Sequence, residues 1–123
     1  MDLAAYLRIQ AHANRLANGR LHASMAALSH VELHAPRTSF FPSLIATLNH
    51  ILMVDQYYIL ALRGAPVQTT HWDTFVSDDD LHTLAQRQRA SDERLIDFCN
   101  LQEIKKKQKI LSGMRIKNLQ ELN

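Results

Sequence analysis

The spacing of apolar residues along the chain predicts three long helices. In the segments 2–28, 41–62 and 78–98, apolar side chains recur every three or four residues, which is the period of an amphipathic α-helix. β-branched residues are scattered and show no alternation of the kind expected in a strand. Gly64 and Pro66 follow the second segment and provide a clear stop. The pattern therefore predicts an all-α fold.

The same spacing predicts which side of each helix faces the core. In the first helix the apolar stripe consists of Leu3, Tyr6, Ile9, Ala13, Leu16, Ala17 and either Met25 or Leu28. The second helix has two neighbouring stripes, one of Leu44, Leu48, Ile51, Ile59 and Leu62 and one of Ala46, Val54, Tyr57 and Ala61. Two stripes predict burial on more than one side. The third helix has an inner stripe of Leu81, Leu84, Leu95 and Phe98, with the polar residues Gln88 and Ser91 between them.

Polar residues mark where the helices should begin. Ser39 is a suitable cap for the second helix, with Pro42 in its first turn, where a missing N–H is tolerated. Ser77 is a suitable cap for the third. The acidic run Asp78–Asp80 has two interpretations, a divalent-metal site or a set of carboxylates at the positive end of the helix dipole, with Ser77 and Asp80 resembling a capping box. We favour capping.

Composition limits the class of protein. The chain has 123 residues, 46% of them apolar and 21% charged, which fits one folded domain and is not typical of a disordered chain. Its amino-terminal stretch lacks the apolar core of a signal peptide, and no apolar run is long enough to span a membrane. The lone cysteine, Cys99, is interpreted as a packing residue rather than a nucleophile. We therefore expect a cytoplasmic protein with no membrane partner.

Charge divides the chain near residue 100. Residues 1–99, the predicted bundle, contain eight arginines and no lysine, whereas residues 100–123 contain five lysines and one arginine. Three interpretations of this lysine-rich tail stay open: a basic arm for nucleic acid or an acidic membrane surface, a solvated amphipathic extension, or a segment foreign to the ancestral domain that arose from a frameshift, an early stop or a cloning scar. No aromatic residue follows Phe98, so base stacking is not available and nucleic-acid binding is disfavoured.

Seven histidines raise the question of metal binding. Three of them lie off the predicted inner stripes and are expected to be solvated: His12, His22 and His82. His30 and His34 have the spacing of a helical ligand pair but lie in a connector just before Pro36. His71, beside Trp72, is expected to line a pocket mouth.

His50 lies within the second helix, among apolar residues, where we expect deep burial. From residue chemistry alone, a hydrogen-bonded core histidine is favoured over a metal ligand, because a buried imidazole needs a partner of one kind or the other. Asp55 on the same helix is expected to orient a histidine or to pair with an arginine of a neighbouring helix.

Three stretches of the chain together resemble the DinB family over residues 2–98. They read AHANRLANGRLHASMAALS, SFFPSLIATLNHILMVDQYYILALRG and RQRASDERLIDF, and the most specific part is TLNHILMVD preceded by SFF. The resemblance implies an antiparallel, up-down four-helix bundle that is commonly a homodimer, of which this chain has three family helices. It also implies a divalent metal, nickel or zinc, held by one histidine of the second helix and an HxxxH pair on the fourth. Some members of the family are transferases or isomerases that use small thiols.

Carried onto this chain, the resemblance makes His50 the metal ligand of the second helix. The HxxxH pair has no counterpart, since no histidine follows His82. Leu16 also stands where the family commonly has an aromatic residue, and Gln56 where it often has arginine. Because a catalytic zinc or nickel site generally uses three protein ligands, we expect metal binding to be weak or absent.

These observations support one leading hypothesis and two alternatives. The leading hypothesis is a DinB-like protein of unknown specific activity with an incomplete metal site, either a truncated relic or a stress-associated binding module. The first alternative is a metal-dependent transferase that uses a small thiol substrate and completes its ligand set with other histidines or a dimer partner. The second is a nucleic-acid-binding protein that uses its basic tail.

The missing fourth helix should leave an apolar groove on the bundle. We expect a homodimer through the bundle helices to cover it. Alternatively, residues 101–122 fold back as a substitute fourth helix, with a break at Ser112–Gly113.

Overall fold

Three long helices and two short ones make up the part of the fold that the structure describes. The computed structural model describes the backbone of residues 2–65 and 70–121, and the side chains of all of these except 70–71 and 115–121. The helices are α1 (Leu3–Met25), α2 (His30–His34), α3 (Leu44–Leu62), α4 (Thr70–Thr74) and α5 (Leu81–Glu121). This described part contains no strand, and the all-α prediction is confirmed. Within it, no helix combines the length and apolar character that a membrane crossing requires.

Helix α1 runs antiparallel to α5. Near the middle of both helices, the side-chain amide of Asn18 donates to Asp92 at 2.9 Å. Towards the start of α1, Arg8 forms an ion pair with Glu103 at 3.0 Å. Residue numbers therefore rise along α1 as they fall along α5.

Helix α3 runs parallel to α5. The side chain of Asn49, early in α3, bonds the backbone N–H and carbonyl of Asp78, just before α5. Further along both helices, Gln88 donates to Asp55 at 2.8 Å. The expected alternation of up and down helices is therefore wrong for this pair. The long connection between α3 and α5 lets the chain return to the same end of the bundle.

The core consists of two apolar clusters with a polar layer between them. The first cluster consists of Ile45, Leu48, Leu52 and Leu84, and the second of Ala11, Ile96 and Cys99. Between them lie polar residues of all three long helices, here called the polar layer: Asn14, Asn18, Asp55, Gln88, Ser91 and Asp92.

Helix α5 continues well past residue 98. It has 41 residues and is therefore about 60 Å long at 1.5 Å per residue. The predicted break at Ser112–Gly113 is absent from this described segment, so the fold-back of the tail is wrong. Two ion pairs hold the extension along α1, Arg8 with Glu103 at 3.0 Å and Asp2 with Lys106 at 3.4 Å.

The capping residues differ from those expected. Ser43, not Ser39, caps α3, and its hydroxyl accepts from the N–H of Ala46 at 3.1 Å. Asp80, not Ser77, caps α5, accepting from the N–H of Thr83 at 2.9 Å. Each helix begins later than expected because a second capping residue follows the first in the sequence. The capping interpretation of the acidic run is confirmed at Asp80.

The predicted inner stripe of α1 is wrong. Leu3, Tyr6, Ile9 and Leu16 are each about half exposed or more. The buried residues of α1 are instead Ala11, Asn18 and His22. Burial of this polar face is favoured because α5 supplies a carboxylate for its amides to bind.

Candidate functional site

Two carboxylates of different helices meet in the polar layer through one amide. The Nε2 of Gln88 donates to Asp55 of α3 at 2.8 Å and to Asp92 of α5 at 2.9 Å. Gln88 and Asp92 lie one helical turn apart, so both reach the bundle interior from the same face of α5. The arrangement links α3 to α5 through a single side chain. The expected histidine or arginine partner of Asp55 is replaced by this amide.

Helix α1 contributes two more amides to the same cluster. Asn18 donates to Oδ1 of Asp92 at 2.9 Å and Asn14 to the same oxygen at 3.3 Å. With Gln88, this oxygen receives three amide N–H groups. Such bonds stabilise a carboxylate that is 2% exposed. Asp92 therefore joins α1 to α5, as Gln88 joins α3 to α5.

The two carboxylates bind protons more tightly than a free aspartate does. Burial raises the pKa of Asp55, and the neighbouring charge of Asp92 raises it further, while hydrogen bonds from Gln88 and Asn18 act in the opposite direction. Burial also raises the pKa of Asp92, against the hydrogen bonds from Gln88 and Asn18. The polar layer is thus an environment that favours the uncharged form of its acids.

Some polar atoms of this region have no hydrogen-bond partner among the described residues. They include Oε1 of Gln88 and Oγ of Ser91, whose residues are 1% and 2% exposed. An unsatisfied buried group of this kind costs about 1–3 kcal/mol. Because the Nε2 of Gln88 is engaged by two carboxylates, its oxygen is the acceptor left over.

His22 lies on the buried face of α1, one turn beyond Asn18. It is 8% exposed, and its Nδ1 has no partner in the described part of the chain. Burial lowers the pKa of His22, which favours the neutral ring. The expectation that His22 is solvated is wrong, because it follows from the wrong choice of face for α1. His12 and His82 are exposed, as expected.

His50 is partly exposed rather than deeply buried. Its ring lies against Phe41, with 4.3 Å between the ring centroids. Among the described residues, no group of three or more histidine, cysteine, aspartate or glutamate side chains is placed to hold a metal ion. The residues described here therefore do not fit a three-ligand metal centre, and His50 as a ligand stays a prediction.

The remaining sequence candidates have structural roles or lie outside the described part. The rings of His30 and His34 stack with centroids 3.9 Å apart, and Nδ1 of His34 bonds the carbonyl of His30, so this ring nitrogen is occupied. Cys99 packs with Ala11 and Ile96, and burial raises the pKa of its thiol, which disfavours a reactive thiolate. The side chain of His71 lies outside the described residues.

Sequence reasoning missed Asp92 and Asn18, the two residues that tie α1 to the cluster. Asp92 follows Gln88 by four residues, on the stripe where Gln88 and Ser91 are correctly expected to face inwards. That spacing indicates from the sequence alone that Asp92 faces the core. The sequence gives less indication that Asn18 does, since its face of α1 carries mostly small and polar side chains.

The model of the DinB family matches residues 8–113, which covers more than half of the chain. This chain belongs to the DinB family. The DinB match includes all of α3 and extends into the lysine-rich segment beyond residue 99. No curated protein and no solved structure matches the chain. Family membership therefore supports the resemblance and the helical fold, and leaves the activity to be argued from the site.

Proposed function

We propose that this DinB-family protein acts as a binding module whose divalent-metal site is incomplete. The observation that supports this most is the surroundings of His50. Its ring faces Phe41, and the residues described do not bring together a group of three ligands. A catalytic zinc or nickel ion generally needs three protein ligands and an open position.

The carboxylates at the centre of the bundle point to the same function. Asp55 and Asp92 are engaged by the amide of Gln88 and do not belong to a group of three described residues that could hold a metal ion. The polar layer is suited to holding the helices together and to hydrogen bonding with a bound molecule. It offers no nucleophile with an adjacent base among the residues named here.

Calorimetric titration with nickel and with zinc tests this proposal. The full chain, a His50→Ala variant and a His12→Ala control, which removes an exposed imidazole, are compared at neutral pH. We expect all three to show weak and similar heats. Stoichiometric, sub-micromolar binding that is lost in His50→Ala but kept in His12→Ala would contradict the proposal and favour a metal-dependent transferase.

We also propose that two copies of the chain associate through α1. Large apolar side chains of α1 point outwards with exposures of 49% for Tyr6, 52% for Ile9 and 55% for Leu16. They recur at the helical period, so they form a continuous apolar stripe along one side of the helix. A second copy is a suitable occupant, because a twofold axis brings identical stripes together.

A further inference from the structure

A groove runs between α1 and α5 and is closed at one end by α2. Its volume is about 900 Å³, within the range that holds a small organic molecule. Small residues on both helices leave this space open: Gly19, Ala23, Ala26 and Ala85. His50 is not among the residues that line it, so the groove is separate from the family's metal position.

The floor of the groove carries buried polar atoms without partners. Gln88 and His22 both line it, and they are 1% and 8% exposed. Oε1 of Gln88 and Nδ1 of His22 have no hydrogen-bond partner among the described residues. Both atoms are almost completely hidden from solvent, so they lie beneath the groove surface and do not face an occupant directly. The Gln88 amide is held in this position by its two bonds to Asp55 and Asp92.

The charges around the groove indicate the sign of that ligand. Three arginines line it, Arg15, Arg20 and Arg89, together with the carboxylates of Asp80 and Asp92. Arg89 is itself paired with Glu93 at 3.4 Å, so Arg15 and Arg20 are the guanidinium groups offered to a ligand. Both carboxylates are already engaged, Asp80 by the first turn of α5 and Asp92 by the amides of the polar layer. The guanidinium groups suit an acidic group on a ligand.

The end of the groove next to α2 carries three leucines. Leu28, Leu33 and Leu81 line it there, beside His30, Asp80 and His82, and Leu33 is 4% exposed. Because α1 and α5 are antiparallel, these leucines lie about two turns or more along the groove from Arg15 and Asp92. One end therefore suits an apolar body and the other an acid.

We propose that the groove binds a small amphipathic organic acid. Its acidic group pairs with Arg15 and Arg20, and its apolar body lies along the leucines. This inference rests on the proposed binding role and names the class of ligand. Its site does not include His50, so a failure here and a failure of the metal titration are distinguishable.

Two related dyes test the ligand class. Anilinonaphthalene sulfonate has an acidic group, an apolar body and an N–H, and phenylnaphthylamine is the same molecule without the acid. We expect one sulfonated dye per chain, bound about tenfold more tightly than the uncharged dye at low salt. Replacing two groove arginines in Arg15→Gln/Arg20→Gln should remove this preference. The control Arg63→Gln/Arg94→Gln, which changes net charge equally at exposed positions outside the groove lining, should keep it.

A glycine substitution tests the position of the site. A Cβ added at Gly19 meets nothing within 4 Å, so Gly19→Leu fills the groove without a backbone clash. A Cβ added at Gly113 also meets nothing within 4 Å, and Gly113 lies outside the groove lining, which makes Gly113→Leu a matched control. We expect Gly19→Leu to weaken dye binding by about tenfold or more and Gly113→Leu to leave it within about twofold.

Two results would overturn the inference. Equal dye binding by Gly19→Leu and the unmodified chain would place the dye on another apolar surface. A change in sedimentation mass on Gly19→Leu would identify the groove as an interface between copies instead. Both variants should keep the helical circular dichroism of the parent chain, since leucine is a better helix former than glycine.

Discussion

Single side chains of the polar layer hold helices together that share few other polar contacts. Asp92 receives amide hydrogen bonds from two helices, and Gln88 donates to carboxylates of two helices. Removing any one amide donor should lower the stability of the fold, because the carboxylate that loses its hydrogen bond stays buried.

Asn18→Ala should destabilise the fold by about 2 kcal/mol, the range for a hydrogen bond to a charged group. The variant removes the donor that binds Asp92 at 2.9 Å. Urea unfolding followed by circular dichroism measures the change. Gln10→Ala, at an exposed position of the same helix, is the control and should change stability by no more than about 0.5 kcal/mol. Equal effects of the two substitutions would show that the hydrogen bond from Asn18 to Asp92 does not contribute measurably to the free energy of unfolding.

Asp55→Asn should stabilise the protein at neutral pH, and the gain should shrink as the pH falls. The pKa of Asp55 is raised above its ordinary value of 3.8. Between that value and the raised one, Asp55 is therefore protonated more often in the folded state than in the unfolded state. The free energy of unfolding from this group therefore falls as pH rises above about 4. The amide removes the charge and keeps an oxygen that accepts from Gln88.

The difference in the free energy of unfolding between Asp55→Asn and the parent chain isolates the contribution of the Asp55 charge. His22, whose pKa is lowered from 6.5, acts in the opposite direction and reduces stability as pH falls below about 6.5, but it does so in both proteins. Asp97→Asn, at an exposed position of α5, is the control. Urea unfolding at several pH values measures the difference, and a gain that does not depend on pH would contradict the interpretation.

At the scale of elements, apolar periodicity predicts where helices form better than which side they bury. The three long helices and the inward position of Gln88 and Ser91 on α5 could be predicted. The buried side of α1 could not, because Asn18 is stabilised there by Asp92, which lies 74 residues away in the sequence. Likewise, no local pattern places Asp55 beside Asp92, since Gln88 brings them together only in the folded bundle.

The length of α5 gives a prediction at the same scale. Gly113→Ala should increase helicity around position 113, because alanine is favoured over glycine in a continuous helix by about 1 kcal/mol. Backbone NMR chemical shifts measure this directly. Helical shifts through residues 108–114 in the parent chain, strengthened in the variant, are expected. Random-coil shifts at Ser112 and Gly113 would contradict the continuous helix and restore the predicted break.

At the scale of the whole molecule, the outward apolar stripe of α1 predicts association. Ile9→Glu places a charge in the middle of that stripe and should shift the protein towards monomer by at least about tenfold in dissociation constant. Sedimentation equilibrium measures the shift. Phe40→Glu is the control, since Phe40 is 93% exposed and lies outside the long helices. A parent chain that is monomeric at high concentration would contradict the proposed dimer.

The metal content of the purified protein shows whether the site at His50 is incomplete. The chain and its His50→Ala variant are produced with nickel and zinc supplied, purified without chelators, and measured by mass spectrometry of the elements. An incomplete site predicts far less than one ion per chain, with no difference between the two proteins. One tightly held ion per chain that disappears in His50→Ala would contradict the account, since three ligands would then have to meet at that histidine.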